Sequence, residues 1–121
     1  MFSTDKLTLE QIYALKGTDG KTWGQVLDEQ RLGMGIGPKR SGATYEVGFP
    51  VLQYRGLAEE VIPTSTQDAT RKAYCQAKVS TQWTTYPGEH LMTDQLAKDD
   101  TVKWLGDRFA GRPASDNCSS P

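Results

Sequence analysis

The stretch Val51-Leu52-Gln53-Tyr54-Arg55-Gly56-Leu57-Ala58-Glu59-Glu60-Val61-Ile62-Pro63 decides how this chain is read. Val51 to Tyr54 is a short apolar run entered from Pro50, which suits a strand. Two adjacent carboxylates, Glu59 and Glu60, follow at its C-terminal end. After Pro63 a helix is expected from about Ser65 to Ala77, with Ala69, Ala73 and Ala77 on one stripe. Ser80 to Tyr86 alternates around Thr81, Trp83 and Thr85 and predicts a second strand. Pro87-Gly88 breaks that strand, and the chain's single histidine, His90, lies just beyond. A last helix is expected from near Asp99 or Asp100, with Val102, Leu105 and Phe109 on one face, ended by Gly111 and Pro113. Strands alternating with helices imply an α/β class with parallel pairing through a right-handed crossover. In such folds functional groups gather beyond the carboxyl ends of strands, which is where Glu59, Glu60 and His90 fall.

Working outward towards the N-terminus, the same helix-start chemistry recurs. Thr8 with Gln11 and Thr22 with Gln25 fit the capping box, and so does Thr64 with Gln67 further along. Leu7 and Ile12 occupy the positions of a hydrophobic staple on the first. Two short helices are therefore expected, from about Leu9 to Lys16 before Gly17 and from about Trp23 to Leu32 before Gly33. Residues 33 to 49 carry Gly33, Gly35, Gly37, Gly42, Gly48 and Pro38 and read as a long loop. No internal repeat or low-complexity segment is present.

Composition narrows the classes of function. A chain of 121 residues with 36% hydrophobic and 24% charged residues is at most one globular domain. Fourteen basic and fifteen acidic residues give a net charge of −1. No basic cluster stands out, so nothing supports a nucleic-acid partner. No apolar run approaches the roughly 20 residues of a membrane helix. Met1-Phe2-Ser3-Thr4-Asp5-Lys6 lacks the features of a signal peptide, which taken as written implies the cytoplasm. Cys75 and Cys118 pull the other way if they pair. A disulfide closing so long a loop would contribute ~3–4 kcal/mol on the chain-entropy estimate and implies an oxidising compartment. Two unrelated buried thiols are the alternative.

Several motifs point to chemistry and most fail. Gly33-Met34-Gly35-Ile36-Gly37 suggests a dinucleotide turn, but Pro38 takes the third-glycine position and a helix precedes it. One histidine and two distant cysteines give no metal-binding spacing, and no cofactor is implied. Cys75 as a nucleophile would sit inside a helix rather than at an activating N-terminus. His90 and Glu59 form the stronger pair. An imidazole in a turn after a strand is reachable and titrates near neutrality, as a general base must. A carboxylate from the neighbouring strand end could orient it and balance the imidazolium, as the acid of a catalytic triad does. The plain alternatives are a structural or surface histidine and an exposed acidic turn.

From about Leu7 to Cys118 the chain resembles the C-terminal part of the secreted actinobacterial and fungal lipases of the α/β-hydrolase class. The resemblance is carried by Gln30-Arg31-Leu32-Gly33, Pro50 to Gly56, Glu59-Glu60-Val61-Ile62-Pro63, Tyr74-Cys75, Glu89-His90, and Trp104 to Ala114 leading to Cys118. It implies an incomplete α/β-hydrolase fold: a helical and loop segment over 1–49 from the lid or cap side, then a strand-helix-strand-helix unit over 50–121. It implies catalytic roles for Glu59, at the family's aspartate position, and for His90, and it implies a Cys75–Cys118 disulfide and an extracellular setting. The activity implied is hydrolysis of acylglycerol or other esters by a serine enzyme, with no cofactor. No Gly-x-Ser-x-Gly nucleophile elbow occurs in these residues, and Ser41, before Gly42, lacks a strand-to-helix context. The chain is therefore expected to be inactive alone and to need an N-terminal lipase half carrying the serine. A noncatalytic lipid- or partner-binding module reusing the fold is the competing expectation.

Overall fold

The computed structural model describes residues 6–37 and 42–119. Met1 to Asp5, Pro38 and Ser41, on which parts of the sequence reading fall, lie outside the described residues. Packing divides the chain into two units, residues 1–34 and 35–121.

The first unit is a pair of short helices, α1 (Leu9–Ala14) and α2 (Trp23–Glu29). Both expected capping boxes form. Gln11 N donates to Thr8 Oγ1 at 3.3 Å while Thr8 N donates to Gln11 Oε1 at 2.8 Å. Thr22 and Gln25 repeat the exchange at 3.1 and 2.8 Å. Each helix stops before its glycine. In α1 the reason is pairing: Leu15 turns extended, its carbonyl accepts from Trp23 N at 2.9 Å, and Lys16 bridges antiparallel to Thr22. The chain gives up a helical turn to tie the start of α2 to the end of α1. Lys21 adds an ion pair to Glu29 at 2.6 Å.

The second unit runs β1 (Val51–Gly56), α3 (Thr64–Gln76), β2 (Thr81–Tyr86) and α4 (His90–Phe109). The strands pair in parallel, from Val51 opposite Thr81 to Gly56 opposite Tyr86, with α3 as the crossover. This mixed arrangement is compatible with the α/β class. The third capping box does not form. Pro63 takes the N-cap position, its carbonyl receives Thr66 N at 2.9 Å, and the Gln67 amide turns back to Ile62 O at 3.3 Å.

The two faces of the sheet carry different chemistry. On one, Tyr54 and Tyr86 meet edge to face at 6.1 Å between ring centres. Their hydroxyls donate to Asp94 and Asp100 of α4 at 3.2 and 2.9 Å. On the other, the Arg55 and Arg71 guanidinium groups lie 5.2 and 5.7 Å from the Trp83 ring, and Arg55 pairs with Asp68 of α3 at 2.8 Å. The C-terminal tail closes the outer edge of β2. Asn117 bonds the Trp83 main chain through both side-chain atoms at 2.8 Å, and its N–H donates to Thr81 O at 3.1 Å. Cys118 joins Cys75 of α3 in a disulfide, which holds that tail in place.

Helix α4 differs most from expectation. It begins at His90, nine residues or more before Asp99, because the Glu89 carboxylate accepts from Leu91 N and Met92 N at 2.8 and 2.9 Å and caps it there. Its inward side presents Thr93, Ala97, Thr101, Trp104 and Arg108. The apolar face read from the sequence points outward: Val102 is 63% exposed and Phe109 91%.

Candidate active site

The segments that follow β1 and β2 are laced together by main-chain hydrogen bonds. Leu57 N donates to Tyr86 O at 2.8 Å and Ala58 N to Gly88 O at 3.0 Å. Gly56 makes that approach possible, since a Cβ there would stand 2.2 Å from Gly88 O and 2.5 Å from Thr93 Oγ1. The turn after β1 thus meets the start of α4, and Glu59 meets His90.

Both Glu59 oxygens approach His90 Nδ1, at 2.9 and 3.0 Å. Glu59 Oε1 also accepts from Val61 N and Ile62 N, each at 2.9 Å. Its side chain is 5% exposed, against 34% for His90. The main-chain donor of Ile62 is the largest cause holding the Glu59 carboxyl down at about 2, followed by the hydrogen bond from His90. The bond to Glu59 raises the His90 imidazole above its ordinary value, opposed by burial and aided by the charges of Glu59, Glu60 and Asp94. An ionised carboxylate can only accept, so Nδ1 carries the proton and Nε2 keeps its lone pair. That is the tautomer a general base requires.

Each residue singled out in the sequence now has a place. Glu59 and His90 are brought together, and the extra methylene of glutamate does not prevent the contact. His90 sits on the first turn of a helix, so its main chain is anchored where a loop position was expected. Cys75 is bonded to Cys118 and offers no thiol nucleophile. Glu60, read as part of an acidic turn, bonds the His90 main-chain N–H at 3.1 Å. No local pattern signals that contact, because its two ends are joined by folding alone.

The comparisons with known proteins bear on the same residues. The secretory lipase family matches residues 4–117.

The chain belongs to the secretory lipase family.

Within that reach fall β1, the Glu59 turn, α3, β2 and α4 entire. A secreted triacylglycerol lipase of Malassezia globosa is 28% identical over 75 residues, covering 60% of this chain and 16% of its own length. The chain therefore spans well under two thirds of that relative. No solved structure matches it. Among the described residues no helix is long and apolar enough to cross a membrane.

Proposed function

We propose that this chain supplies the acid and the base of a serine-dependent lipase, Glu59 orienting His90 and His90 moving the proton. The observation that carries this reading is the approach of both Glu59 oxygens to Nδ1 of His90 at 2.9 and 3.0 Å. A binding module has no need of an imidazole held in one tautomer beside an ionised carboxylate. On this reading residues 50–121 are the C-terminal unit of an α/β-hydrolase fold, and 1–49 belong to its lid or cap side. The intact enzyme acts on acylglycerols or other carboxylic esters outside the cell.

The chemistry runs through Nε2. It takes the proton of a serine hydroxyl as Oγ bonds to the ester carbonyl carbon, and Glu59 stabilises the imidazolium that forms. The imidazolium then gives that proton to the departing alkoxide oxygen as the ester C–O bond breaks. Water, deprotonated by the same nitrogen, releases the acid and restores the serine. These 121 residues contain no Gly-x-Ser-x-Gly. The serine and the oxyanion donors are assigned to a lipase segment outside them, an N-terminal half.

The purified chain is expected to leave a short-chain nitrophenyl ester unhydrolysed above background. Co-expression with a lipase segment bearing the serine is expected to produce turnover that His90→Ala abolishes. Turnover by the chain alone, lost in His90→Ala, would overturn the need for an outside serine. Restored turnover indifferent to His90→Ala would overturn the role of the base.

The exposed face of α4 favours a second reading, a noncatalytic lipid-binding module. It predicts capture by phospholipid vesicles that Phe109→Ser weakens and His90→Ala leaves unchanged.

A further inference from the structure

The two consecutive glutamates after β1 hold different parts of one residue. Glu59 binds the His90 side chain, while Glu60 Oε2 accepts from the His90 main-chain N–H at 3.1 Å. The first N–H groups of a helix have no partner within it. At the start of α4, Glu89 serves those of Leu91 and Met92, and Thr93 N makes an intrahelical bond to Glu89 O at 3.1 Å. The His90 N–H alone among these is satisfied from another segment, and that segment is the turn carrying Glu59. Main chain and imidazole are therefore both tied to one short turn. Between the two ties only the side-chain torsions of His90 remain, and the bond to Glu59 sets those.

We propose that Glu60 is a positioning residue for His90, tethering its backbone so that Nδ1 lands on Glu59 and Nε2 is presented outward. This rests on the reading of His90 as the general base. The charges acting on the imidazole are Glu59 and Glu60 from the β1 turn, Asp94 from α4, and the positive end of α4 itself. That helix end disfavours an imidazolium on its first residue. The charge on Glu60 counters it, so Glu60 acts on where the ring sits and on when it titrates.

The test uses the 121-residue chain, with ¹⁵N NMR reading the His90 amide exchange rate, the imidazole tautomer and the imidazole titration. Glu60→Ala is expected to speed exchange of the His90 amide about tenfold and to let the imidazole relax from its single tautomer towards a mixture. Glu60→Gln, which keeps an acceptor and loses the charge, is expected to restore slow exchange and the single tautomer while His90 titrates at lower pH. If Glu60→Ala leaves both tautomer and titration as in the parent, Glu60 only caps a helix and the proposal is wrong. Should Glu60→Ala fail to fold, Glu60→Met decides, since it keeps the side-chain length and loses the acceptor, and slow His90 amide exchange with a single tautomer as in the parent sinks the proposal. Glu59→Gln separates this from the underlying reading. An imidazole indifferent to Glu59→Gln overturns the acid–base pair itself, whereas one that responds to Glu59→Gln and ignores Glu60 overturns only the positioning role.

Discussion

Glu59 and His90 stabilise the fold as a charged pair, and their titrations define where that contribution holds. Glu59 has its folded value lowered from 4.5 to about 2, so its share is complete above 4.5 and is lost as pH falls towards 2. His90 has its folded value raised from 6.5, so its share is complete below 6.5 and is lost as pH rises through the folded value. The pair therefore contributes fully between about pH 4.5 and 6.5. Urea midpoints of the parent and Glu59→Gln should differ most in that window. The difference should vanish as pH falls towards 2 and, above the His90 value, shrink to the part that the Ile62 and Val61 N–H bonds contribute. A difference that stays constant from pH 3 to 9 would rule out the ionised pair. On the proposed reading of His90 as the general base the sign reverses for activity, because a base must be neutral. Activity of an assembled lipase should rise with pH through the raised His90 value, and Glu59→Gln should move that rise to lower pH.

At the level of elements, α4 shows how helix faces are chosen. Its inward side carries Thr93 and Ala97, 4% and 0% exposed, because the helix must come close to Gly56, Gly88 and the tyrosines of the sheet. Small residues allow that approach and large apolar ones would obstruct it. Ala97→Leu should destabilise the chain by about 1–3 kcal/mol through overpacking. Phe109→Ser should change stability by less than about 0.5 kcal/mol, since its ring touches little. Thermal or urea unfolding of the two variants checks both, and a larger loss in Phe109→Ser would mean the wrong face has been assigned to the interior. The sequence suggested the reverse, because apolar spacing marks an amphipathic helix without saying which neighbour awaits it.

For the molecule as a whole, the disulfide outweighs any single packed side chain. Buried apolar side chains among the described residues are Val79 and Ala97, while many large apolar residues are exposed. Such a chain depends on covalent restraint. The Cys75–Cys118 bond spans 43 residues, which the chain-entropy estimate values at about 4 kcal/mol. It also anchors the Asp116–Asn117 tail along β2, where that tail saturates edge groups that would otherwise be open to pairing. Reduction should lower the urea midpoint strongly and speed amide exchange at Thr81 and Trp83. Equal midpoints with and without reductant would show that the tail holds by its hydrogen bonds alone.

The amino-acid sequence by itself determined what depends on near neighbours. The capping boxes at Thr8 and Thr22, the two strands and their α3 crossover all follow from spacing within one turn or one run, where the interacting groups are a few residues apart. It also placed Glu59 and His90 at adjoining strand ends, which follows from α/β connectivity. The start of α4 at His90 also follows from a local cap, Glu89 on the N–H groups of Leu91 and Met92, which the sequence reading missed. Only the tertiary structure decided that its small residues face inward and that Glu60 reaches the His90 backbone. Those outcomes depend on groups distant in the chain competing for the same hydrogen-bond donors and the same space. Tertiary structure likewise brought the stretch from Val51 to Pro63 against the start of α4, where it holds His90 by side chain and by backbone at once.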